Sequence, residues 1–252
     1  MPLNWKPLPV LVAGAALVAA CGMTDGTSFT FDSDRDSEGS NSEGWASSWS
    51  GEPFDRITLA GPDNLTFVTR GEHAVSATGD AKALEKLQYK VRNGELRIRR
   101  KSSNWGLGGS SGEATIAVNA PALRGFMVAG SGSAKIDRME GDKVKLSIAG
   151  SGDADIASLS AKSLEGSIAG SGSMRLAGSA DSSEISIAGS GSVLGERFRS
   201  ESVEISIAGS GDVTMASDGS VDASLMGSGD VTIKGNAKCK SSAMGSGSIT
   251  CG

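Results

Sequence analysis

The chain is poor in the residues from which most active sites are built. Among 252 residues there is one histidine, His73, and aromatic residues make up only 4%. A single imidazole leaves little choice of general base and no set of His ligands for a metal. So few rings imply a thin core of stacked Ile, Val, Leu and Ala. Long apolar runs are lacking too: the stretch from Val10 to Ala20 has 11 residues, too short to cross a bilayer as a helix. Net positive charge is also absent. Residues 22–52 hold seven acids and one base, whereas residues 53–252 hold 22 of each. The overall charge of −5 therefore belongs to the N-terminal region. A neutral body gives no support for nucleic-acid binding.

What the chain does have is repetition. Gly-Ser-Gly begins at Gly130, Gly150, Gly170, Gly189, Gly209, Gly227 and Gly245, at steps of 20, 20, 19, 20, 18 and 18 residues. A period this regular marks a solenoid. Two residues before the first Gly stand Val128, Ile148, Ile168, Ile187, Ile207, Leu225 and Ala243; four after it stand Ala134, Ala154, Met174, Val193, Val213, Val231 and Ile249. Ser, Asp, Ala and Lys fill most places between. Period-two alternation on both sides of a glycine corner reads as strand, turn, strand. A Gly/Ser linker would not hold apolar residues in register. The expected fold is all-β: a parallel β solenoid of about 18–20 residues per coil, its Gly-Ser-Gly repeats spanning 126–252. Seven coils at about 4.8 Å each give a rod on the order of 30 Å long.

Residues 1–21 read as an export signal. Lys6 precedes the apolar stretch, which ends in Val18-Ala19-Ala20-Cys21-Gly22. That ending resembles a bacterial lipobox, and the resemblance implies cleavage before Cys21 and its lipidation, with the membrane as partner through the lipid. Gly22, in place of the Asp that commonly retains lipoproteins at the inner membrane, favours the outer membrane by the same resemblance. Ordinary signal cleavage among the alanines is the alternative. Residues 22–52, rich in Ser, Gly, Asp and Glu, read as a disordered tether, with Trp45 and Trp49 among its few large apolar residues.

Three cysteines are an odd number for an exported protein. Lipidation of Cys21 leaves Cys239 and Cys251, which fall six before and six after the last repeat Gly, at inward positions of the terminal coil. A disulfide between them would contribute about 3 kcal/mol and pin the open end of the stack. Two buried free thiols are the alternative.

Residues 53–128 read as strands without the repeated phrase. Ala81 to Leu87 reads as a short helix with Asp80 as N-cap and Leu84 and Leu87 inward. Tyr89 to Ile98 reads as a hairpin around Asn93-Gly94. Its outer face is basic: Lys90, Arg92, Arg97 and Arg99. That face is either a patch for acidic glycans or lipid head groups, or a solvated strand face countered by nearby acids.

Phe54-Asp55-Arg56-Ile57, the Gly61-Pro62 turn, Thr69-Arg70-Gly71, Asn93 to Ile98 and Ala120-Pro121-Ala122-Leu123 come ahead of the serial Gly-Ser-Gly coils. With the closing Ala237-Lys238-Cys239 and Thr250-Cys251, this pattern resembles the head GIN domain, the putative auto-transporter adhesin family, over residues 53–252. The resemblance implies a right-handed parallel β-helix, often exported or lipid-anchored, and an adhesin role.

No catalytic constellation emerges, and no cofactor is implied. Gly108-Gly109-Ser110-Ser111-Gly112 has nucleophile-elbow spacing, but a strand, not a helix, is expected to follow it. The place three after each repeat Gly holds Ser133, Asp153, Ser173, Ser192, Asp212, Asp230 and Ser248. Asp212 and Asp230, on successive coils about 5 Å apart, are candidate calcium ligands, or else solvated turn acids. Ser147, Ser167, Ser186, Ser206, Ser224 and Ser242 form an outward hydroxyl strip. The expected function is a non-enzymatic cell-envelope lipoprotein that binds a surface, a glycan or a protein. A polysaccharide-active, lyase-like β-helix and a purely structural envelope protein are the alternatives.

Overall fold

A computed structural model describes residues 44–101 and 112–252. Cys21, the export signal, most of the tether and the Gly108–Ser111 run lie outside the described residues. In chain order the strands are β1 (Arg56–Gly61), β2 (Asn64–Thr69), β3 (Ala74–Gly79), then after helix α1 (Ala81–Leu84) β4 (Leu87–Arg92), β5 (Glu95–Arg100) and β6 (Ala114–Ala120). The repeats supply β7 (Gly125–Gly130), β8 (Ser133–Ile136), β9 (Met139–Gly150), β10 (Asp153–Gly170), β11 (Ser173–Gly189) and β12 (Ser192–Gly209). The last are β13 (Asp212–Ala216), β14 (Ser220–Gly227), β15 (Asp230–Lys234), β16 (Lys238–Gly245) and β17 (Ser248–Cys251). They form one β solenoid of about six turns, because seven corners bound six complete intervals.

Alternation builds the core. Along the strands that precede the corners, Ile98, Leu59, Val128, Ile148, Ile168, Ile187, Ile207 and Leu225 stack in register, each 3% exposed or less. Each buried Ile or Leu side chain contributes about 1.5–3 kcal/mol. Where the alternation fails, a neighbour fills the gap. Gly166 leaves room for Ile185, whose Cδ1 would lie 2.8 Å from a Cβ there. At Gly195 the fully buried Phe198 and Met215 take up the space.

The corner explains the repeated phrase. The first glycine has a φ near +130°, and a Cβ at Gly170 would sit 2.2 Å from the Gly150 carbonyl oxygen. The second glycine faces the inside, where a Cβ at Gly172 would meet the Gly152 oxygen at 2.1 Å and Ile148 at 2.7 Å. Between them the Ser171 amide donates to the Gly150 oxygen at 2.9 Å, so the ladder runs unbroken round the bend. Only a residue without a side chain lets the next coil lie that close.

The stacking order departs from the chain order at the start. Strand β1 pairs in parallel with both β5 and β7, and β2 with both β6 and β8. Strands β3 and β4 close this end by pairing antiparallel with β6 and β5. The β1–β2 corner is Gly61-Pro62-Asp63, with Asp63 where the repeats have their second glycine. Asp63 is 1% exposed. Its carboxylate accepts the Arg100 Nε at 2.8 Å, the Arg100 Nη2 and the Ala114 amide at 2.9 Å. This partly buried pair holds the Arg100 guanidinium above its ordinary pKa, the hydrogen bond to Asp63 being the main cause.

Three expectations for this end need correction. Helix α1 is a single turn, and Leu87 belongs to β4. Asp80 supplies no side-chain cap, because its carboxylate accepts the Glu113 amide at 3.1 Å. Residues 44–52, read as tether, make defined contacts: Ala46 bridges Tyr89, and Trp49 packs edge-on to Phe54 at 6.1 Å. At the other end the last coil is mostly exposed, with Cys239 bonded to Cys251 across it.

Candidate binding surface

On the strands that precede each corner, residues one, three and five places before the first Gly point outward, and strand pairing turns these places into rows. The row five before reads Lys145, Glu165, Glu184, Glu204, Asp222 and Lys240. The row three before is the serine strip; the row one before is Ala149, Ala169, Ala188, Ala208, Met226 and Met244. Ser147 and Ser167 are hydrogen-bonded at 2.9 Å. The face is flat because its middle rows are short side chains.

The basic hairpin forms the closed end of this face. The type of turn at Asn93-Gly94, with φ of 53° and 74°, suits the twist of the two strands and sets their register. Lys90 lies opposite Arg97, and Arg92 opposite Glu95. All four expected cations share one side, but their surroundings differ. Arg97 is ion-paired with Glu95 at 3.1 Å. Arg99 lies over the Trp45 ring at 3.8 Å and donates to Gln88 at 3.3 Å, while the Lys90 Nζ is 5.8 Å from the same ring. Arg92 is exposed. Glu95, 9% exposed, also accepts the Thr58 hydroxyl. Trp45 therefore belongs to the hairpin, and Glu95 is a nearby acid that counters part of the basic face.

The turn aspartates have a structural task. Asp153 accepts the Ser173 amide at 3.0 Å, Asp212 the Asp230 amide at 2.9 Å, and Asp230 the Ser248 amide and hydroxyl. The Ser248 hydroxyl, then its amide, lower the Asp230 pKa. Asp212 and Asp230, the candidate calcium ligands, each have one oxygen engaged by the next coil. No cluster of three or more His, Cys, Asp or Glu suited to a metal occurs among the described residues. His73 lines a cavity of about 480 Å³ with Phe54, Asp55, Arg56 and Asn93. Its Nε2 is bonded to the Phe54 carbonyl at 2.9 Å and its ring stands edge-on to Phe54, which accounts for it as a structural residue.

Reasoning from the sequence missed the acid ladder Glu165, Glu184, Glu204 and Asp222. The signal was present at a fixed place, five before the repeat Gly. Lys145 and Lys143 ion-pair with Glu165; no ion pair to Glu184, Glu204 or Asp222 occurs among the described residues.

Residues 53–237 match the family described as putative auto-transporter adhesin, head GIN domain. The chain belongs to this family. Solved structures share the fold. A putative adhesin from Bacteroides fragilis NCTC 9343 aligns with a TM-score of 0.64 at 21% identity, covering 82% of this chain and 94% of that one. A putative adhesin from Parabacteroides merdae ATCC 43184 aligns with a TM-score of 0.63 at 18% identity, covering 79% and 92%. A putative lipid binding protein from Parabacteroides distasonis ATCC 8503 aligns with a TM-score of 0.62 at 25% identity, covering 79% and 92%. No protein of curated function matches the sequence. Among the described residues no helix is long and apolar enough to cross a membrane.

Proposed function

We propose that this head GIN protein is a non-enzymatic, exported adhesin of the cell envelope, held by lipid on Cys21 at the outer membrane, that docks an anionic partner on its basic hairpin face. The observation that carries this reading is the clamp of Arg99 and Lys90 on Trp45. A guanidinium already stacked on a ring has less rotamer freedom to lose on binding, so it recognises anions at lower entropic cost. Membership in an adhesin family supports the same role. The engagement of Asp212 and Asp230 by neighbouring amides favours display over a lyase-like chemistry.

Two measurements test the proposal. Intact mass of the mature protein should show a diacylglyceryl adduct beginning at Cys21; a free Ala or unmodified Cys terminus sinks the anchor. Binding to an immobilised uronate-rich polysaccharide should weaken at least tenfold in the Lys90→Glu/Arg92→Glu variant and fall with salt. Equal binding by the variant removes the hairpin from the site.

A further inference from the structure

The charges of the body cancel in total but not in place. Residues 53–145 hold 15 bases and 10 acids, and residues 146–252 hold 7 and 12. The first half supplies the closed end and the first repeat coils, the second half the remainder, so the division is spatial. On the outer face it is sharper still. The closed end shows Arg56, Lys90 and Arg92. The further coils show Glu184, Glu204 and Asp222 in one row, with Asp181 and Glu201 three residues before Glu184 and Glu204; only the last coil, with Lys238 and Lys240, turns basic again.

Like charges directly opposite one another on paired strands destabilise a sheet. The fold does not require them: the adjacent row keeps the same outward geometry with serine. Glu184, Glu204 and Asp222 thus repel one another; Lys240 stands opposite Asp222 on the last coil, and no ion pair to the three acids occurs among the described residues. At this acidic end two methionines continue the alanine row, Met226 at 62% and Met244 at 66% exposure, on paired strands. Between the two ends the Ser and Ala rows would let a second sheet approach to the roughly 10 Å of face-to-face packing.

We propose that the anionic partner is a second copy of this chain: two solenoids pack outer face to outer face and antiparallel, the basic hairpin end of each over the acid ladder of the other. The inference rests on the reading that this face is the binding face. Antiparallel packing is the arrangement that matches opposite charges at both ends, while parallel packing sets carboxylates against carboxylates. It is also isologous, so it closes at two copies. Residues 44–46 run along β4 at the closed end, so the paired chains start from opposite ends. That geometry suits contact between two facing surfaces.

The test uses the full lipidated chain on neutral phosphatidylcholine vesicles and reads vesicle clustering by light scattering. One variant carries Lys90→Glu and Arg92→Glu, which removes the net positive charge of the hairpin end; the other carries Glu184→Lys and Glu204→Lys, which reverses the middle of the acid ladder. Wild-type vesicles should cluster, and clustering should fall at least tenfold in 0.5 M salt. Each variant alone should fail, and a mixture of the two should recover clustering, which also shows that both are folded. A mixture no better than its components overturns the proposal, as does the absence of wild-type clustering. If wild-type protein binds the acidic polysaccharide yet does not cluster vesicles, self-pairing is wrong and the anion-binding face stands; if it does neither, both fail.

Discussion

Gly170→Ala puts a methyl group where the stacked corner has no room for one. The φ of +130° at Gly170 is a conformation that L side chains rarely adopt, with a cost of about 1–3 kcal/mol. The new Cβ would lie 2.2 Å from the Gly150 oxygen, 3.0 Å from its carbonyl carbon and 3.2 Å from its Cα. All three atoms are backbone of the coil above, and that coil is fixed by its own ladder, so relief requires the two coils to part. Overpacking of this kind costs about 1–3 kcal/mol. The sum is about 2–6 kcal/mol. With a urea m-value of about 2–3 kcal/mol/M for a domain of this size, the midpoint should fall by about 0.7–3 M. Two controls isolate the cause. Ser171→Ala changes the exposed residue of the same corner, and Gly71→Ala adds a Cβ with nothing within 4 Å; both should stay within about 0.5 kcal/mol. If Gly170→Ala unfolds at the wild-type midpoint, the close approach of corner to corner is not what selects glycine there.

Asp63→Ala should cost about 1–3 kcal/mol, read as a lowered thermal midpoint, because it leaves the Ala114 amide without its acceptor and the partly buried Arg100 with the Gly112 carbonyl in place of its carboxylate. Reduction of Cys239–Cys251, twelve residues apart, should remove about 3 kcal/mol of constraint. The loss should appear as faster amide exchange confined to β16 and β17, since coils contact only their neighbours. The folded-state pKa of Asp230 is depressed, so its contribution is full above the ordinary carboxylate value and is lost as pH falls through the lower folded value. Asp230→Asn should therefore flatten the acid limb of stability below about pH 4, with β17 exchange as the readout.

The periodic features were legible because they repeat. The corner glycines and the inward ladder from Val128 to Leu225 follow from register alone, and the pairing of Cys239 with Cys251 from register together with the odd number of cysteines. What escaped was non-periodic. Asp63 and Arg100 are 37 residues apart and share no phrase that would join them. Trp45 sits in a segment of tether-like composition, and only the tertiary structure brings it onto Arg99. Asp80 looked like a cap because local sequence favours one, yet its carboxylate serves an amide 33 residues away. The acid ladder was periodic and still unread, because outward charges are ordinarily indistinguishable from solvated ones until their alignment is known.

The placement of β1 between β5 and β7 bears on how the chain reaches its structure. Arg56 pairs with Glu95 on one side and with Gly125 on the other, so a chain produced from its N-terminus cannot give its first strand both neighbours until the seventh has been made. Closing these wide loops is the slow, entropically costly part of the process. Afterwards every coil meets a completed template one turn behind it, and folding becomes local growth. The molecule thus has one demanding assembly event at its head and a succession of undemanding ones, which places the kinetic barrier in the part of the chain where the Gly-Ser-Gly phrase does not occur.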